Sequence, residues 1–78
     1  MVDMLKIGEF ISSMRGRAGL TQEQLAAQLN ITHQAVSKWE NGTSLPDAGL
    51  LVELAEELGV SIEEILLAAL GPAMQLTK

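Results

Sequence analysis

Cysteine is absent from this 78-residue chain, histidine occurs once, proline twice, and five basic residues face ten acidic ones. Without cysteine there are no disulfides and no thiolate metal sites, and a reducing cytoplasm is the expected compartment. A single histidine with carboxylates is a poor ligand set, so neither a metal nor a cofactor is expected. No glycine-rich phosphate loop or dinucleotide fingerprint is present. Long hydrophobic runs are missing too. The longest, "ILLAAL" leading into "GPAM", falls far short of the roughly 20 residues a membrane helix needs. The first residues do not pair a basic segment with an apolar one, so no export signal is expected either.

What remains is a chain that is 47% hydrophobic, long enough for one small domain with a thin core. Its net charge of −5 argues against indiscriminate coating of nucleic acid. The charge is unevenly spread. Residues 1–38 carry four basic side chains against three acidic, a net +1, whereas residues 39–78 carry one against seven, a net −6. A polyanion would have to dock on the first half.

Gly19, Asn30, Gly42, Gly59 and Gly71 each follow an apolar-periodic run, as left-handed helix C-termini do. Thr21, Thr32, Asp47 and Ser61 read as N-caps. Thr21 with Gln24 and Ser61 with Glu64 fit the capping box; Leu20/Leu25, Ile31/Val36 and Val60/Ile65 fit the hydrophobic staple. This punctuation predicts an all-α fold, a compact five-helix bundle occupying residues 1–70 with residues 71–78 as a tail. The first helix, about residues 4–18, puts Ile7, Phe10, Ile11 and Met14 on one face, and the second buries Leu25, Ala26 and Leu29. The third turns Ala35, Val36 and Trp39 inward and Gln34, Ser37, Lys38 and Asn41 outward, by about 100° per residue. The fourth buries Leu50, Leu51, Leu54, Ala55 and Leu58, the fifth Ile62, Ile65, Leu66 and Ala69. No period-2 run suggests a strand.

Between Leu29 and Thr32 the link is so short that the second and third helices must cross steeply, as in a helix-turn-helix. With that spacing, "LTQEQLAAQLNITHQAVSKWENGTSLPD" resembles the phage-repressor (Cro-like, xenobiotic-response-element) family of helix-turn-helix DNA-binding domains. The resemblance runs from about Ile7 through "LAEELGVSIEEIL" and rests on "LTQEQLA", "AVSKWENG", "LPD" and "LGVS" in order. It implies that the third helix reads double-stranded DNA in the major groove through His33, Gln34, Ser37 and Lys38. Their chemistry suits base reading, since Gln34 matches adenine, Lys38 donates to guanine, and Ser37 accepts or donates. The resemblance also implies a phosphate contact from Gln22 at a helix N-terminus, and Thr32 has a methyl and a hydroxyl to offer. Asn41, Thr43 and Ser44 lie where the family contacts phosphates, although plain turn chemistry explains them equally. Arg17 is either a phosphate contact or a solvated charge at a helix C-terminus. The family further implies that Arg15 pairs with Glu40, tying the third helix to the first. Trp39, on the Val36 face, reads as core.

A hydrolase is not expected from "THQAVSKWE", because Glu40 stands about two helical turns, roughly 10 Å, along the helix from His33 and cannot orient it for Ser37. Leu67 and Leu70, followed by Met74 and Leu76, leave apolar area beside the fifth helix's core face, which marks an interface or is covered by the tail "GPAMQLTK". Family members often dimerise there. The expectation is therefore a homodimeric transcriptional repressor reading a palindromic operator. The alternatives are the antitoxin of a toxin–antitoxin pair, with a protein partner on the C-terminal apolar surface, and a helix-turn-helix module used for protein interaction.

Overall fold

The computed structural model describes residues 3–69, and these form five helices and no strand: α1 (Met4–Arg17), α2 (Gln22–Leu29), α3 (His33–Glu40), α4 (Ala48–Leu58) and α5 (Ile62–Ala68). Each begins at a side chain that accepts from a free backbone N–H of the first turn. Thr21 and Ser61 form reciprocal boxes with Gln24 and Glu64, every bond between 2.8 and 3.0 Å. Thr32 accepts from the Ala35 amide at 3.2 Å and Asp47 from the Leu50 amide at 2.9 Å. Asp3 caps α1 in the same way, accepting from the Leu5 and Lys6 amides, a start signal that the sequence pattern alone did not single out.

The ends of α1, α2, α3 and α4 are set by backbone of positive φ. Gly19, Gly42 and Gly59 supply it, and so does Asn30, at φ 59° and ψ 42°. Gly71 lies outside the described residues. Asn30 lets the Ile31 amide reach back to the Ala26 carbonyl at 3.0 Å, closing α2 and swinging the chain into α3. Asparagine tolerates this conformation where alanine does not. Asn30→Ala is therefore expected to lose about 1 kcal/mol of stability, and Asn30→Gly to lose nothing, in paired urea titrations.

The core joins Ile7 and Ile11 of α1, Leu25, Ala26 and Leu29 of α2, Val36 and Trp39 of α3, Leu54, Ala55 and Leu58 of α4, and Ile65 with Ala69 at α5. Phe10, Met14, Leu50, Leu51 and Ile62 pack partly buried against it. One expectation fails. Leu66 is 51% exposed rather than buried. Ile65 and Ala69 set the direction in which α5 faces the core, and at 100° per residue Leu66 points about 80° away from it.

What positions α3 is its contact with α1. Gly8 of α1 lies under the last carbonyls of α3, where even a Cβ would meet the Trp39 oxygen at 2.3 Å. Gly42, just past α3, sits close to the Leu5 backbone. Trp39, 3% exposed, fills the space beneath, so it serves the core and is not available to stack on a base.

Candidate nucleic-acid interface

Burying Val36 and Trp39 fixes the rotation of α3 and leaves the opposite side to solvent. His33, Gln34 and Lys38 are placed on that side, all three exposed, with the half-buried Ser37 beside them. Thr32 is exposed as well, but its hydroxyl oxygen already caps the helix, which leaves its methyl and its hydroxyl hydrogen for an outside partner.

Behind this face runs a chain of side-chain hydrogen bonds. Arg15 forms a two-pronged pair with Glu40, Nε to Oε2 at 2.6 Å and Nη2 to Oε1 at 2.9 Å, and its Nη1 donates to the Leu20 carbonyl at 2.8 Å. The Gln22 Nε2 also donates to Glu40 Oε1, at 2.9 Å, and the Gln22 Oε1 lies 2.9 Å from the His33 Nε2. Three helices thus meet at one carboxylate. The sequence points to Gln22 only as a phosphate contact; its role as the bridge between Glu40 and His33 depends on side-chain directions that no spacing rule conveys.

Burial of Glu40 opposes its charged form, but the hydrogen bonds from Arg15 and Gln22, the Arg15 charge and a contribution from Ser12 outweigh it, so the carboxyl sits below its ordinary value. Arg15 is held above its own by the Glu40 hydrogen bond, against the effect of burial and with the help of the opposite charge. A carboxyl lowered on folding stabilises the folded state fully above the unfolded glutamate value, near pH 4.3, and that contribution is lost as pH falls through the lower folded value. Glu40→Gln is accordingly expected to lower stability by roughly 2 kcal/mol at pH 7 and to flatten the acid limb of stability against pH. Denaturant titrations between about pH 7 and pH 3 would check both.

In the loop after α3, Asn41 uses its side-chain oxygen locally, accepting from the Thr43 amide at 3.0 Å and from the Thr43 hydroxyl. The Thr43 and Ser44 amides both donate to the Lys38 carbonyl. Turn chemistry therefore engages Asn41 Oδ1 and these amides, whereas the Asn41 amino group and the Ser44 hydroxyl take no part in those turn bonds. Arg17 is exposed and borders a shallow groove with Met14, Leu58, Gly59, Val60 and Glu64, which places it by the α4–α5 junction. Leu67, 41% exposed, lies on the outer side of α5; Leu70 and Met74 lie outside the described residues. Among the described residues no helix is long and apolar enough to cross a membrane, and no group of three histidine or acidic side chains is arranged to hold a metal ion.

Two short helices joined by Asn30, Ile31 and Thr32, the second presenting a polar face on an apolar base, form a helix-turn-helix unit, a fold that lays its second helix in the major groove of a duplex. The helix-turn-helix family profile matches residues 11–65, and the chain belongs to that family. It is 37% identical over 62 residues to the HTH-type transcriptional activator BcrR of Enterococcus faecalis, covering 80% of this chain and 30% of that one. It is 34% identical over 61 residues to the cryptic phage CTXphi transcriptional repressor RstR of Vibrio cholerae, covering 78% and 54%. The crystal structure of the restriction-modification controller protein C.AhdI from Aeromonas hydrophila matches with a TM-score of 0.75 at 27% identity, over 81% of this chain and 96% of that one. The chain spans about a third to a half of the length of the two curated relatives. These are regulators rather than enzymes, and the match to them is a match to a Cro-like DNA-binding domain.

Proposed function

We propose that this chain is a sequence-specific transcriptional regulator that binds double-stranded DNA as a homodimer and represses by occupying a palindromic operator. The observation that carries the reading is the face of α3. His33, Gln34, Ser37 and Lys38 share one side of a helix, turned away from the core and held from behind by α1 and α2. They read bases; Gln22, Thr32, Asn41, Thr43, Ser44 and Arg17 are the candidates for phosphate contacts, which fix register rather than sequence.

The exposed apolar residues support the dimer. Leu66 and Leu67 stand out from α5, and Leu66 borders a small apolar groove with Leu45, Pro46 and Leu51. A second copy joined there, with help from Leu70 and Met74, would set two α3 helices about 34–36 Å apart, one turn of DNA. Repression is the simplest action open to such a module, since bound protein and polymerase compete for the same promoter. A relative named as a repressor and one named as an activator both resemble this chain, so a reporter assay decides the sign.

The test is selection of bound sites from a random duplex pool near physiological salt. A palindrome with half-sites one helical turn apart is expected. Folded protein that enriches no motif would overturn the reading and direct attention to the apolar surface of α5 as a site for a protein partner.

A further inference from the structure

The hydrogen bonds around Gln22 have a direction, and it follows from what each group is able to do. The Glu40 carboxylate, clasped by Arg15, accepts and does not donate. Gln22 must therefore turn its amino group toward Glu40, and its carbonyl is left facing His33. Reversing the amide would set one oxygen against another and forfeit a charge-assisted bond. A carbonyl also only accepts, so the His33 Nε2 must carry a hydrogen. The other ring nitrogen, Nδ1, takes part in none of the hydrogen bonds among the described residues, and His33 is exposed at the first position of α3.

We propose that the relay from Arg15 through Glu40 and Gln22 locks the neutral His33 imidazole in its Nε2–H tautomer, so that Nδ1 meets the DNA as a bare acceptor. His33 then favours bases that offer an amino group in the major groove, adenine through N6 or cytosine through N4. It disfavours the acceptor edges of guanine and thymine at the same position. Glu40 is a positioning residue in this scheme: it sits behind the interface and sets the sense of a hydrogen bond two side chains away. The base preference rests on the DNA reading of α3 given above, whereas the tautomer is a property of the free protein.

His33 is the only histidine in the sequence, so its ring nitrogens give unambiguous signals. The full chain labelled with 15N-histidine would be studied at about pH 8, where histidine side chains are neutral. Long-range 1H–15N correlation is expected to show Nε2 protonated and Nδ1 bare. In Gln22→Ala both signals should move toward the tautomer mixture of a free imidazole, with the amide spectrum of the same sample showing that the variant is folded. A mixed or Nδ1-protonated ring in the unaltered chain, or identical ring signals with and without Gln22, would overturn the proposal.

Site selection from random DNA at the same pH supplies the second arm. At the position whose preference disappears in His33→Ala, adenine or cytosine is expected to exceed guanine or thymine roughly fivefold or more. Guanine or thymine there overturns the base assignment alone. A locked tautomer with no enriched motif overturns the DNA reading and the base preference together.

Discussion

Replacing Gly8 with alanine is expected to cost about 3 kcal/mol and to lower Tm by roughly 15 °C, as read by thermal melting in circular dichroism. The added Cβ would lie 2.3 Å from the Trp39 carbonyl oxygen and 2.7 Å from that of Glu40. Both atoms are backbone, so neither can swing aside as a side-chain tip would. Relief requires α1 and α3 to separate, and separation uncovers Trp39. Alanine's better helix propensity, about 1 kcal/mol, offsets only part of this. Gly16 provides the internal comparison, because it belongs to the same helix and nothing stands within 4 Å of where its Cβ would be. Gly16→Ala should stabilise by about 0.5–1 kcal/mol. Equal effects at the two positions would show that helix propensity, not the α1–α3 approach, governs Gly8.

The largest effect on binding is expected from removing Gln34 and Lys38 together. Both lie on the outward side of α3, away from Val36 and Trp39, so the double alanine variant should keep its stability to within about 0.5 kcal/mol. Its affinity for the selected operator should fall about a hundredfold or more in a fluorescence-anisotropy titration, since each well-made base contact is worth roughly 1–3 kcal/mol. Affinity for unrelated DNA should fall much less, because few cations contribute to it in either protein. No lysine or arginine occurs from Trp39 to Thr77, so the dependence of binding on salt should be shallow. Retention of full operator affinity by the folded variant would remove α3 from the role of reader.

These two substitutions also divide what the sequence discloses from what it conceals. The helix starts are legible because a cap is a local device: Thr21 with Gln24 and Ser61 with Glu64 form their reciprocal bonds within a single turn. The left-handed ends at Asn30, Gly42 and Gly59 are legible for the same reason. The outward face of α3 follows from the periodicity of its apolar residues, Val36 and Trp39. Gly8, by contrast, looks like one more small residue in α1, and its partners are carbonyls far along the chain, at Trp39 and Glu40. Leu66 defeats the pattern because a helical wheel shows which residues are neighbours on α5 but not how the helix is rotated against the rest. The Gln22 bridge is concealed most completely. A first-turn glutamine gives no sign of which way its amide turns until Glu40 and His33 are seen on either side of it.

That bridge also constrains how the protein can diversify. The Gln22 amide is held by a carboxylate that α1 and α3 both need, so a newcomer at position 33 inherits a carbonyl that wants a donor. Glutamine, asparagine, lysine or arginine could satisfy it by a single exchange of side chain. Aspartate or glutamate would add a second negative charge beside Glu40 and face an oxygen with an oxygen. Descendants of this chain would thus explore new operators along a restricted set of paths, with the inner anchor of the helix acting as a filter on the vocabulary of its outer surface.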